Sequence, residues 1–340
     1  MSLEDLILET AARAGRAFLI GRYRARWFLR VWFLILPLVT ASATPCADTG
    51  AIRLAILDLG IGSTGMRAAS EIRRVFSTLK PNESAVPRFE VIDPDQARAA
   101  SIGAGYKGSL NLELQQARDL GAAIGCDFYF LGDAETVMRS PSTGASYFES
   151  FASVFLVSAR TGRLVLWERP SVQRNSSEES EKALLAMLAS EEIRQRYVIA
   201  VRRALEEERA ERASATEINA PVVEVMSDEI SDAEKAVRAP RAYRRLKPPY
   251  PETAARAEAE ATVDALVDID VRGEVGRVEI VRWAGYGLDQ SVVDTVKQMH
   301  FFPAMRNGIA IPMRVLLRYN FRKPPIENST QPKPLFEHEF

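Results

Sequence analysis

One stretch in the C-terminal third of the chain constrains the fold more than any other. Apolar or small residues occupy every second position there: Val263, Ala265, Val267, Ile269 and Val271. A period of two predicts a β-strand with one buried face. Gly273 and Gly276 follow at once, and they predict a turn into a second strand that runs from Arg277 to Trp283.

A helical repeat follows the second strand. Its apolar residues return every three or four positions on one face: Leu288, Val292, Val293, Val296 and Met299. This spacing predicts an amphipathic helix. Residues 309–321 then return as a long strand, which gives the order ββαβ. We expect a small domain over residues 246–323 and a polar tail over residues 324–340.

Short motifs in this region match a known family in the same order. They are a Y-P-x-x-A-R-like entry at Tyr250, hairpin glycines at Gly273 and Gly276, an [FY]-x-P-A turn at Phe302-Pro303-Ala304 and an N-G turn at Asn307-Gly308. Residues 246–321 therefore resemble the C-terminal domain of the TonB family. The chain departs from the family at Met299, where an aromatic residue is usual.

The resemblance implies that the last strand has an open edge, which receives an extended peptide from an outer-membrane receptor. Backbone groups of the edge would then bond to the peptide main chain, as in β-augmentation. The partner-binding residues predicted in this way are Lys247, Pro249, Tyr250, Pro251, Arg314, Leu316, Arg318 and Tyr319. The alternative is that the edge pairs with a second copy of the chain and forms a homodimer.

The first 43 residues have the three parts of a secretory signal. Six arginines from Arg13 to Arg30 precede the apolar run 31–39, and a small-x-small site follows, with cleavage expected near Ala43. This pattern predicts export to the periplasm. An uncleaved segment anchored in the inner membrane is the alternative, although the run is shorter than the roughly 20 residues of a typical span.

Strands and helices alternate between residues 50 and 211. The apolar runs predict strands at 51–60, 88–93 and 126–138, and two more around the turn 160–163. Amphipathic helices separate the first three strands, and one long charged helix is predicted over 178–211. We expect an α/β sandwich with a mixed sheet. The composition of residues 212–245 predicts a linker.

Three motifs of this region match a second family. They are ILDLG in the first strand, a G-x-D-[FY]-x-[FLV]-x-G stretch over residues 125–132 and V-S-A-R-T-G-R-L-V over residues 157–165. Residues 52–174 resemble the envelope domain shared by the TolB N-terminal domain and the CsgG-type secretion lipoproteins. The motifs are short, so this resemblance is weaker than the first.

A glycine motif raises the question of a nucleotide cofactor. Gly60, Gly62 and Gly65 have the G-x-G-x-x-G spacing of a dinucleotide-binding turn. However, Asp58 lies just before them, where a carboxylate would repel a pyrophosphate. An acidic residue is expected at a strand end about 20 positions further on, but the nearest strand-end acid, Asp93, lies 28 residues beyond Gly65. We interpret the motif as a strand-to-helix turn and expect no cofactor.

The remaining polar residues suggest neither catalysis nor metal binding. Asp58 and Asp127 lie near strand ends and are interpreted as turn or capping residues, and His300 as a packing or capping residue. No Ser–His–Asp set, Cys–His pair or metal-ligand spacing is apparent. His338 lies in the polar tail. Cys46 and Cys126 could form one disulfide in an oxidising compartment or remain two thiols.

These observations combine into one hypothesis. The fold class is α/β and α+β: an N-terminal α/β sandwich followed by a small ββαβ domain. The function is non-enzymatic docking to an outer-membrane receptor or another envelope protein. The alternatives are an envelope scaffold or secretion accessory that acts through its N-terminal domain, and a membrane-anchored energy transducer. The net charge of −1 gives no reason to expect a nucleic-acid partner.

Overall fold

A computed structural model gives the fold, and it describes residues 51–79, 87–215, 224–225 and 237–323. The predicted signal and tail, Cys46 and His338 lie outside these residues, as does most of the predicted linker. Within the described ranges, no helix has both the length and the apolar character needed to cross a membrane.

The N-terminal part is a six-stranded mixed sheet with helices on both faces. Its strands are β1 (Ile52–Leu59), β2 (Phe89–Val91), β3 (Phe128–Arg139), β4 (Tyr147–Ser158), β5 (Leu164–Glu168) and β6 (Ser171–Arg174). Its helices are α1 (Ser63–Ser77), α2 (Pro94–Gly103), α3 (Leu114–Ile124), α4 (Ser177–Leu188) and α5 (Glu191–Ala215). The order is β2-β1-β3-β4-β5, and β6 also pairs with β4. The first three strands are parallel and the others antiparallel, so the predicted mixed sheet is confirmed.

Each face of this sheet has its own core. The core under α1, α4 and α5 contains Phe76, Phe130 and Tyr197, whose rings contact one another. The core under α2 and α3 contains Tyr129 and Phe155. Alternate residues of β3 point to opposite faces, so Tyr129 and Phe130 belong to different cores. This two-sided burial explains why β3 and β4 read as nearly continuous apolar runs.

Local capping groups set the helix boundaries. Asp93 accepts hydrogen bonds from the amides of Asp95 and Gln96 at the start of α2. Glu113 and Gln116 form a reciprocal capping box at the start of α3. The predicted single helix over 178–211 is wrong, because α4 ends at Leu188 and Ser190 then caps α5 through the Ile193 amide.

The C-terminal part has the predicted ββαβ order. It contains α6 (Glu252–Arg256), β10 (Ala261–Ile269), β11 (Val275–Arg282), α7 (Leu288–Val296) and β15 (Met313–Phe321). Short strands complete it: β7 (Glu224–Val225), β8 (Val237–Arg238), β9 (Arg241–Ala242), β12 (Phe301–Phe302), β13 (Ala304–Arg306) and β14 (Ile309–Ile311). The sheet order is β11-β10-β15-β7. Helix α7 covers one face, and Val263, Val267 and Val292 meet in the core between them.

Three details of the predicted strands are wrong. Val271 lies in the turn after β10 and is 48% exposed, because the strand ends at Ile269. Trp283 lies just beyond β11 and is buried in the N-terminal core under α3. Pro312 divides the predicted strand 309–321 into β14 and β15, since proline has no amide to donate to a ladder.

The two sheets belong to one compact unit of the chain. The Trp283 indole donates to the Gly162 carbonyl oxygen at 3.0 Å, and its ring packs on Phe155. The Asn111 side chain bonds to the backbone of Thr262 and to the Trp283 carbonyl oxygen. These contacts tie the C-terminal sheet to the segment that precedes α3.

Candidate strand-docking site

The last long strand, β15, has one paired edge and one largely open edge. It pairs along its whole length with β10, from Met313 to Phe321. On the other side β7 pairs only with Met313 and Arg314. Among the described residues, no strand pairs with this edge from Val315 onward. Unpaired amide and carbonyl groups of such an edge are a template for another strand.

The two faces of β15 differ sharply in character. Val315, Leu317 and Tyr319 pack against the core under α7. Leu316 and Arg318 lie on the opposite face and are exposed, Leu316 by 51%. This alternation follows from the period of two in a strand with one buried face. The alternation therefore determines which side chains of β15 lie on the core face of the sheet and which lie on its exposed face.

A groove of about 360 Å³ runs along the open edge. Residues 316–319 of β15 form one wall, and the segment from Pro240 to Leu246 forms the other. Met299 and Phe301 also line the groove, and both are buried. The sulfur of Met299 accepts a hydrogen bond from the Tyr319 hydroxyl at 3.6 Å.

The two predicted arginines of β15 bind carboxylates of β10. Arg318 makes two hydrogen bonds to Asp264, at 2.7 and 2.9 Å, and Arg314 makes two to Asp268. Arg282 from β11 also reaches Asp264, and its second contact is Glu113. Hydrogen bonding to Asp268 raises the pKa of Arg314, whereas burial lowers the pKa of Arg282. These ion pairs link β10, β11 and β15 on the face of the sheet opposite α7.

The entry segment is bound to the helices rather than to the open edge. The Pro249 carbonyl oxygen accepts from the Ser291 hydroxyl at 2.7 Å, and Pro251 is the N-cap of α6. The Tyr250 hydroxyl donates to the Ala259 carbonyl oxygen at 2.8 Å, while Lys247 is exposed. Of the eight predicted residues, the groove brings together Leu316, Arg318 and Tyr319.

Two arginines of the groove were not predicted as partner-binding residues from the sequence. Arg241 and Arg245 lie in the segment that forms the second wall. The sequence feature that could have identified them is a basic run without acidic residues over 237–250. It contains Arg238, Arg241, Arg244, Arg245 and Lys247. The Arg241 guanidinium lies 5.0 Å from the centre of the Phe302 ring, which stacks on Tyr243.

The glycine motif forms a tight turn between β1 and α1. Gly60 has a φ of +82°, which favours glycine. A side chain at Gly65 would overlap the Leu59 carbonyl oxygen, and one at Gly60 would overlap the Asp133 carboxylate. Burial raises the pKa of Asp133, and Glu135 adds to this effect. The glycines therefore meet packing requirements of the turn.

Asp58, Asp127 and His300 were interpreted as turn, capping or packing residues, and their contacts differ in part from these interpretations. Asp58 lies within β1 and pairs with Arg73 and Arg98, so its interpretation as a cap is wrong. Asp127 does accept from the Arg53 amide, at 2.8 Å, beside the start of β3. His300 is exposed and contacts Glu274, so it neither packs nor caps.

Cys126 and the possible metal ligands of the described residues were also considered in the sequence, and the structure shows their surroundings. Cys126 is a free thiol, and burial followed by the charge of Asp127 raises its pKa to about 12. Such a thiol is unreactive at neutral pH. No group of three or more His, Cys, Asp or Glu side chains suited to a metal ion occurs in the described ranges.

A comparison with protein families identifies the C-terminal part. Residues 247–322 match the family model of the Gram-negative bacterial TonB protein C-terminal. They form a TonB-type C-terminal domain. The match begins within one residue of the predicted start.

Solved structures show weaker likenesses. The hypothetical protein CT253 from Chlamydia trachomatis is 10% identical, with 37% of this chain and 74% of that chain covered and a TM-score of 0.26. The LpoB C-terminal domain from Salmonella enterica is 16% identical, covering 38% and 88%, with a TM-score of 0.23. Lipoprotein GNA1162 from Neisseria meningitidis is 17% identical, covering 43% and 97%, with a TM-score of 0.28. A comparison with curated proteins gave no match.

Proposed function

We propose that this protein is a non-enzymatic envelope protein that docks an extended segment of an outer-membrane receptor, or of another envelope protein, on the open edge of β15. The observation that supports this most directly is the edge itself. Among the described residues it is unpaired from Val315 onward, and a groove runs beside it. The TonB-type character of the domain supports the same mode of binding.

The chemistry of docking is main-chain hydrogen bonding. An incoming strand would bond to the outward amides and carbonyls of residues 315–321 and extend the sheet by one strand. Its side chains would alternate between the groove and the outer face, where they determine preference. No rearrangement of β10 or α7 is needed, because β10 pairs with the opposite edge of β15 and α7 covers one face of the sheet.

In-cell photo-crosslinking tests this proposal. A photoreactive residue in place of Leu316 should capture a segment of an outer-membrane receptor or another envelope protein, identified by mass spectrometry. Met66 is the matched control position, because it is apolar and 47% exposed and lies on α1, which contacts β1, β2, β3 and α4. The same partner captured from both positions, or only a second copy captured from Leu316, would contradict receptor docking.

A further inference from the structure

The charge of the groove beside β15 specifies what kind of segment it accepts. Three arginines are among the residues that line the groove, Arg241, Arg245 and Arg318, and its described lining residues include no Asp or Glu. Arg318 is matched by Asp264 on the neighbouring strand. Arg241 and Arg245 therefore determine the net charge that a docked segment meets.

Both of these arginines lack a carboxylate partner within the described part of the chain. Arg241 lies over the Phe302 ring, an arrangement that orients a guanidinium without neutralising it. Arg245 is exposed, and its charge acts on Tyr319 in the opposite wall, where it partly offsets the rise in pKa that burial causes. Arg245 also belongs to the groove lining, together with residues 316–319 of β15.

The neighbouring residues add to this positive charge. Arg238, Arg244 and Lys247 belong to the same acid-free run, although they do not line the groove. The whole chain has a net charge of −1, so the basic run is a local feature. A groove lined by charge of one sign attracts and orients a segment of the opposite sign.

We infer that the segment docked on β15 is acidic, with Asp or Glu side chains that pair with Arg241 and Arg245. This inference rests on the proposed function, since it concerns the same edge. Arginine suits this role because its planar group can bind a carboxylate through two parallel hydrogen bonds.

The test measures binding of synthetic nine-residue peptides to the full chain by fluorescence anisotropy. All peptides alternate Val and Thr, and three evenly spaced Thr are replaced by Glu in one peptide and by Lys in another. The Glu peptide should bind about tenfold more tightly than the Lys peptide, the size of effect that two exposed ion pairs supply. The preference should weaken as salt is added.

Charge-reversed variants assign the effect to the groove. The double variant R241E/R245E should lose or invert the preference for the Glu peptide. The matched control R238E/R244E changes the net charge of the same run equally without altering the groove lining, and it should keep the preference. Circular dichroism checks that both double variants remain folded. If R241E/R245E does not fold, the single variants R241E and R245E are measured in its place.

The outcomes separate this inference from the proposed function. A preference lost in R241E/R245E and kept in R238E/R244E supports the acidic segment. Equal binding of both peptides, with competition between them, overturns the acidic preference but leaves docking on β15 intact. Equal loss of preference in both double variants also overturns it, since only the general charge would then matter. Binding of neither peptide overturns both.

Discussion

Gly65 and Gly62 belong to the same motif but differ in the space available for a side chain. A side chain at Gly65 would overlap the Leu59 carbonyl oxygen, whereas one at Gly62 meets nothing within 4 Å. We expect Gly65→Ala to lower the free energy of unfolding by about 1–3 kcal/mol, the usual cost of overpacking. Gly62→Ala, the control, should change it by less than about 0.5 kcal/mol. Urea denaturation measures both, and equal effects would contradict a packing role for Gly65.

Asp289, in the first turn of α7, gives the protein a dependence of stability on pH. Burial raises its pKa from 3.8 to about 6, against the opposing effect of hydrogen bonds from the amides of Ala284 and Gly285. A folded-state pKa above the unfolded value means that this contribution to stability is full below pH 3.8. The contribution is then lost as the pH rises through 6.

Comparison with Asp289→Asn isolates this effect, because asparagine keeps an oxygen acceptor and does not titrate. The free energy of unfolding of the wild type minus that of the variant should fall by about 1–3 kcal/mol between pH 4 and pH 7.5. Denaturant unfolding at the two pH values measures the difference. If the difference rises with pH, the two backbone donors outweigh burial and the pKa of Asp289 is lowered.

Strands β10 and β15 contain two arginine–carboxylate pairs that differ mainly in burial. Asp264 is 4% exposed at its side chain and receives both Arg318 and Arg282, while Asp268 is 24% exposed and receives Arg314. Asp264→Ala should cost about 3 kcal/mol, because it leaves half-buried Arg282 beside Arg318. Asp268→Ala, the matched control, should cost about 1 kcal/mol or less. Thermal and urea unfolding test this order, and a reversed order would contradict it.

Elements were predictable from the sequence where one periodicity dominated. The alternation in β10 and the helical repeat of α7 reflect a single buried face, and both elements lie where predicted. The break between α4 and α5 was missed, since Ser190 looks like an ordinary polar residue in a charged helix. The groove was missed as well, because it forms between Arg241–Leu246 and β15, which lie far apart along the chain.

Trp283 joins the two sheets of the molecule. It is 2% exposed, donates to the Gly162 carbonyl oxygen and packs on Phe155. No pattern within the C-terminal strands reveals that this side chain belongs to the other core. Trp283→Ala should therefore cost about 3–5 kcal/mol, the usual penalty for removing a buried tryptophan.

Urea unfolding followed by circular dichroism measures the effect of Trp283→Ala. Ile309→Ala is the control, because Ile309 is 70% exposed on the hairpin before β15 and should change stability little. A loss below about 1 kcal/mol for Trp283→Ala would mean that the two sheets are held together by other contacts.

Amide hydrogen exchange can show residue by residue whether a peptide docks on the open edge of β15. In an edge strand, alternate amides point toward the paired neighbour and away from it. In the free protein the outward amides of residues 315–321 should exchange quickly, and the inward ones, bonded to β10, slowly. Saturation with the Glu-containing peptide should slow the outward amides and leave the inward ones unchanged. Unchanged exchange along β15, or protection confined to another part of the chain, would contradict docking on this edge.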